Sequence, residues 1–213
     1  MLVACLGLLL MTSMALATAP EPAIVQGPGL WTAKVSYETL RPIMYQPNTQ
    51  DQPQRYWYTI LTIENPTSDD VQFYPMFDLV TDTIQVIPAG RHVPSGLYIQ
   101  LMQNYAERYP LLKPLRSLIN QLASSDNLLR QGSDNAVDVL VIWPDFDPEA
   151  SQVSLYFTGL SNETAVVNLP QDSGDDARVF LRKTMELTFD LRSQSQLRYD
   201  PDAVFKSQKW VMR

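Results

Sequence analysis

Hydrophobic and polar residues alternate with a two-residue period through most of this chain, the mark of β-strands with one buried face. The densest run covers 56–63. It is rich in aromatic and β-branched residues, with Trp57, Thr59, Leu61 and Ile63 on one face and Tyr56, Tyr58 and Ile60 on the other. The turn cluster Asn65-Pro66-Thr67-Ser68-Asp69-Asp70 follows. Val71, Phe73, Phe77 and Leu79 then alternate in a second run, and the two runs are expected to pair as a hairpin with a longer loop. Pro75 cannot donate to a ladder, so the second strand is expected at an edge or with a bulge. The period resumes at 136–143, where Val137, Val139, Val141 and Trp143 share a face, and at 152–158, where Val153, Leu155 and Phe157 do. Weaker runs lie at 31–40, 83–87, 164–169, 179–191 and 208–213. Residues 41–54, with Pro42, Pro47, Asn48 and Pro53, read as a loop.

Between 94 and 132 the period lengthens to that of helices. Ser95 is placed to cap a helix whose apolar residues fall at Leu97, Leu101 and Tyr105, with Tyr98 and Met102 alongside. Pro110 and Pro114 break it. A second amphipathic stretch carries Leu115, Leu118, Ile119 and Leu122 on one side, and Asp126 is placed to cap a third turn that stops near Gly132. The segment is read as a helical insertion between strands, far longer than the roughly 4–6 residues that connections need. Its apolar face is expected to cover the Tyr56/Tyr58 side of the densest strand. Its opposite face, with Gln103, Glu107, Arg108, Lys113, Arg116 and Gln121, is then free, and Glu107, Arg108, Lys113 and Arg116 form a candidate partner surface. The whole pattern describes a mainly β chain, an immunoglobulin-like β-sandwich with a helical insertion at 94–132.

The N-terminus follows neither period. Residues 1–19 carry no charge, run apolar from Leu2 to Met11, and end in the small-x-small motif Ala17-Thr18-Ala19 before Pro20. This reads as a secretory signal peptide over 1–19, a Pro/Gly/Ala-rich linker over 20–30 and the sandwich domain over 31–213. The alternative is a retained anchor, since the stretch approaches the about 20 residues that span a bilayer. The expected localisation is export, to the periplasm, the cell surface or the medium. Cys5 is the single cysteine and leaves with the leader, so thiol catalysis, thiolate metal ligation and disulfides are excluded from the mature chain. A net charge of −7 without Lys/Arg runs lacks the electrostatic footprint of a nucleic-acid or anionic-lipid binder.

Four stretches carry a resemblance. They are Ile142-Trp143-Pro144-Asp145-Phe146-Asp147-Pro148-Glu149-Ala150, Gly159-Leu160-Ser161-Asn162-Glu163-Thr164, Leu181-Arg182-Lys183-Thr184 and Lys209-Trp210-Val211-Met212-Arg213. Together they resemble an uncharacterised family of exported bacterial immunoglobulin-like β-sandwich proteins, over most of the mature chain. The resemblance implies export and a sandwich, and brings no catalytic residue.

Chemistry-bearing residues are sparse. His92 is the single histidine, so no multi-histidine metal site can form, and in Gly90-Arg91-His92-Val93-Pro94 it reads as a polar loop residue. No glycine-rich phosphate loop or nucleophile elbow is present. Asp145, Asp147 and Glu149 alternate as oxygen ligands for a hard cation would, but the spacing is not that of an EF-hand, and an acidic turn is the favoured reading. Asp172-Ser173-Gly174-Asp175-Asp176 is a similar loop. An exposed Tyr56/Tyr58 face could stack on sugars. The expectation is therefore an exported, non-enzymatic sandwich, without cofactor, that acts on an unknown protein partner. A carbohydrate-binding module is second, and a carboxylate hydrolase third.

Overall fold

The computed structural model describes residues 22–48, 50–169, 177–192 and 203–213; the predicted leader and the 172–176 acidic loop lie outside them. The described elements run β1 (Ala23–Ile24), β2 (Lys34–Tyr37), β3 (Arg41–Tyr45), β4 (Gln54–Glu64), β5 (Val71–Gln72), β6 (Met76–Thr81), β7 (Val86–Pro88), α1 (Ser95–Asn104), β8 (Lys113–Pro114), α2 (Leu115–Ala123), β9 (Leu128–Leu129), β10 (Val137–Pro144), β11 (Gln152–Thr158), β12 (Thr164–Leu169), β13 (Ala177–Asp190) and β14 (Val204–Met212). The chain is mainly β, in several largely antiparallel sheets that do not close into a barrel. One sheet has the order β1-β12-β13-β11-β6-β7, with β14 also on β13. A second has the order β2-β4-β10-β8, with β3 also on β4, and β5 and β9 form a small ribbon. Among the described residues no helix is long and apolar enough to cross a membrane.

The two large sheets face each other through one core. Trp57, Leu61, Val139, Val141 and Trp143 come from one, and Phe77, Leu79, Leu155, Phe157, Met185 and Phe189 from the other. Phe157 meets Phe77 edge-on at 5.0 Å between centroids, and Trp143 at 6.5 Å. The other face of β4 and β10 is buried as well. Tyr56, Tyr58, Ile60, Leu140 and Ile142 form a second cluster with Leu97 and Leu101 of α1 and with Leu112. The expected two-faced pattern of the densest strand is thus met, and the insertion covers the side it was expected to cover. Helix α2 does something else. Its Leu115, Leu118 and Leu122 enter the main core, while Ile119 stays exposed.

Several local expectations are corrected. The 56–63 and 71–79 runs do not pair: β4 pairs with β2, β3 and β10, whereas β6 pairs with β11 and β7. Alternation fixes which face is apolar, not which strand lies alongside, and these two runs face each other across the core. The crossing between sheets is locked by buried Asn65. Its Nδ2 donates to the carbonyls of Asp69 and Leu129, and its Oδ1 accepts from the backbone and hydroxyl of Thr67. Pro75 falls in the break between β5 and β6. Residues 41–45, read as loop, are an edge strand, where Pro42 is tolerated opposite Trp57. Pro94, not Ser95, occupies the cap position of α1, without a side-chain cap. Asp126 caps no helix. It and Asn127 take left-handed backbone (φ 55) that turns the chain into β9.

Candidate functional site

The four residues proposed as a partner surface do not share one condition. The Arg108 guanidinium pairs with Glu38 and lies over the Tyr109 ring, 5.3 Å from its centroid. Tyr109 donates its hydroxyl to the same Glu38 carboxylate at 2.6 Å. Burial first, and then Glu38, push its phenol up to about 12. These contacts tie the insertion to the chain between β2 and β3. Lys113 is half-buried and donates to Gln121 Oε1 at 2.8 Å. Glu107 and Arg116 are exposed.

The acidic turn after β10 is held from within. Asp145 takes both nitrogens of an Arg55 fork, at 3.0 and 2.8 Å, and the Trp57 indole N–H at 2.8 Å. Asp147 Oδ1 accepts the Glu149 amide at 2.9 Å, an Asx-type turn. Among the described residues no three His, Cys, Asp or Glu side chains come together as a metal site would need. His92 is exposed, with left-handed backbone at φ 56. It lines a hollow of about 450 Å³ beside Arg55 and Asp145. Tyr56 and Tyr58 keep only 4% and 8% of their surface, so the aromatic face considered for sugar stacking is covered by α1.

A larger cleft, about 600 Å³, opens where residues 29–31, the 67–74 crossing and the 159–164 turn converge. Its walls are braced by hydrogen bonds. Asn162 donates to the Gly29 carbonyl at 2.9 Å and accepts the Trp31 amide at 2.7 Å, and the Ser161 hydroxyl donates to the Trp31 carbonyl at 2.7 Å. Asp70 accepts the Gln131 amide at 3.0 Å. Tyr74, 57% exposed, donates its hydroxyl to Gln72 Oε1 at 2.6 Å. Its carbonyl lies so close to Gly159 that a Cβ there would sit 2.2 Å away. Glu163 pairs with Lys183 and accepts from Thr32. The Lys183 hydrogen bond, assisted by Thr32, holds its carboxyl below the usual range despite partial burial.

The third feature is an arm. β13 is 14 residues long. Its Met185, Leu187 and Phe189 point into the core, so by the two-residue period Ala177, Val179 and Leu181 continue that face. Their register partners are Leu169, Val167 and Ala165 on β12, and Ile24 of β1 lies opposite Ala165. The face is wholly apolar, yet half-buried Val167 and Leu181 join neither core cluster. Ile24 is 54% exposed, Leu169 and Val179 are also exposed, and on the reverse face Phe180 is 67% exposed. Lys183 marks the boundary, with its ammonium 5.3 Å from the Trp210 ring centroid.

Across the outer face of the same sheet runs the row Asp78, Tyr156, Glu186, Lys209, one residue per strand. Buried Glu186 pairs with Lys209 at 3.2 Å and accepts from Ser154. The Arg213 guanidinium sits 4.1 Å from the Tyr156 centroid. Burial pushes the Asp78 carboxyl up, against the pull of Arg213.

No family model, curated protein or solved structure matches this chain. Neither the cleft nor the arm was anticipated from sequence. The one pointer was the 159–164 turn, which supplies Gly159, Ser161 and Asn162 to the cleft.

Proposed function

We propose that this is an exported, non-enzymatic, immunoglobulin-like β-sandwich that acts by binding another protein in the cell envelope or outside the cell, and that the β12–β13 arm is its contact. One observation carries this reading: an apolar sheet face continues past the core that would bury it. Apolar side chains left together on a surface mark interaction sites far more often than scattered single ones do. Export rests on the leader-like N-terminus and on the resemblance to exported sandwich proteins. The non-enzymatic reading rests on the engagement of the polar groups. Asp145 is spent on Arg55 and Trp57, and Glu163, held charged by Lys183, is unsuited to act as a general acid, which needs a raised pKa. The insertion face, through Glu107 and Arg116, is the second place where a partner could meet the protein. The test is site-specific photo-crosslinking in the native envelope from positions 179, 180 and 116. A discrete adduct from 179, or one from 180 that Val179→Glu abolishes, supports the arm. An adduct from 116 alone moves the contact to the insertion, and none from any position overturns the reading.

A further inference from the structure

We propose that the cleft between the 67–74 crossing and the 159–164 turn binds a short neutral oligosaccharide. Its volume, about 600 Å³, lies within the about 300–1,000 Å³ of small-ligand sites. It is also pre-formed, which lowers the ordering cost of binding. Asn162 and Ser161 fix the Trp31 wall, Gln131 fixes Asp70, and Gly159 lets the Tyr74 backbone settle against the turn.

The chemistry of the walls selects the class of ligand. Tyr74, an aromatic residue 57% exposed, lines the cleft beside exposed Leu30 and the half-buried Val71. Such a surface suits the apolar C–H face of a pyranose. Around it stand planar polar groups: the Asp69 and Asp70 carboxylates and the Arg182 guanidinium. Asp70 keeps one oxygen beyond its bond to Gln131, and among the described residues Arg182 makes no side-chain ion pair or hydrogen bond. Planar groups of this kind address neighbouring hydroxyls two at a time. The main chain, in contrast, is largely taken. Among the lining residues, the amides of Trp31, Thr67, Asn162, Glu163 and Arg182 already donate to Asn162, Asn65, Trp31, Ser161 and Arg213. A peptide strand recognised through main-chain bonds therefore finds little to pair with here, whereas a ligand read by side chains does. Charge points the same way. Lys183 neutralises Glu163 and Arg182 offsets one of the two aspartates, so the cleft is neither strongly acidic nor basic.

The test uses the full chain and four defined sugars, cellotetraose, chitotetraose, maltotetraose and xylotetraose, in isothermal titration. Tryptophan fluorescence, compared between the parent and Trp31→Phe to isolate the emitter in the cleft wall among the four tryptophans, serves as the second readout. At least one sugar is expected to bind saturably. Tyr74→Ala should weaken it about tenfold, the scale of one lost aromatic contact, while Tyr74→Phe keeps the affinity. Tyr74 is exposed, so melting of Tyr74→Ala alongside the parent protein separates lost binding from lost fold. No saturable signal with any of the four at about 10 mM overturns the proposal, because even a 1 mM site would then be filled. Binding that Tyr74→Ala leaves intact also overturns it, as does saturation by a trilysine peptide but by none of the sugars.

Discussion

Replacing Gly159 by alanine puts the architecture of the cleft to a quantitative test. Gly159 has φ +92, and an added Cβ would lie 2.2 Å from the Tyr74 carbonyl oxygen, 2.7 Å from its carbon and 3.2 Å from Pro75 N. All three atoms are backbone, so no side-chain rotation relieves the overlap. The positive φ alone costs roughly 1–2 kcal/mol for a residue with a Cβ. The collision requires the 74–75 backbone to retreat by about 1 Å to reach an ordinary C···O contact, and such overpacking adds about 1–3 kcal/mol. Gly159→Ala is therefore expected to lose roughly 2–5 kcal/mol, or about 4–20 °C in a chain of this size. Gly132 supplies the control. Its φ is +88, but a Cβ there meets nothing within 4 Å, so Gly132→Ala carries only the conformational part. Urea unfolding of both variants reads the difference directly. Equal losses, within about 0.5 kcal/mol, would refute the close approach of Tyr74 to the turn.

Leu101→Ala, beneath α1, is expected to cost about 2–5 kcal/mol in urea unfolding, whereas exposed Ile99→Ala stays within about 0.5; similar values for both would mean α1 does not seal the Tyr56/Tyr58 face. Asp78→Asn is expected to stabilise the protein at pH 7. Burial raises the folded pKa of Asp78, so the acid favours the folded state when protonated and penalises it as pH rises through that value. The gain should shrink below about pH 4, where both states are protonated, and a loss at pH 7 would show that the Arg213 contact dominates. Asp145→Ala should cost about 1–3 kcal/mol by stranding the Arg55 and Trp57 donors. Chelator should leave the melting curve of the parent in place, and a fall of several degrees would make Asp145, Asp147 and Glu149 ligands. N-terminal sequencing of the exported protein should begin at Pro20 or within a few residues of it, and a start at Met1 would make the first segment an anchor.

What the sequence made legible was whatever periodicity encodes. The two faces of β4 could be read because Trp57, Leu61 and Ile63 differ in parity from Tyr56, Tyr58 and Ile60, and two apolar parities require two cores. The insertion could be placed because it alone had the length and amphipathicity to cover the second. Pairing was not legible, since β4 carries the same alternation whether β6 or β10 lies beside it. Nor was β3, where Pro42 masks an edge strand. Charge was misleading for a related reason. Arg108 and Lys113 look like a free surface until Glu38 and Gln121 are found next to them. The cleft was beyond reach because its walls lie far apart in the chain: the Asn162–Trp31 bond spans 131 residues. No local spacing records such a site.

The arm and the cleft meet at one point on β13, and the strand's own parity separates them. Lys183 and Arg182 are neighbours, so their side chains leave opposite faces of the sheet. Lys183 stays on the core side, where its pair with Glu163 and its contact with Trp210 close the sandwich and leave Leu181 and Val179 beyond the seal. Arg182 turns to the other side and lines the cleft. Glu163 belongs to both, since its amide and carboxylate lie in the turn that forms the cleft wall while its charge is spent on the core-side lysine. Because Lys183 depresses the Glu163 pKa, the stabilisation from this pair is present above the unfolded carboxylate value and is lost as pH falls through the lower folded one. The junction therefore stays closed from neutral to mildly acidic conditions. The 14-residue strand thus carries the partly exposed apolar face of the arm past Lys183, while its Arg182 lines the polar cleft.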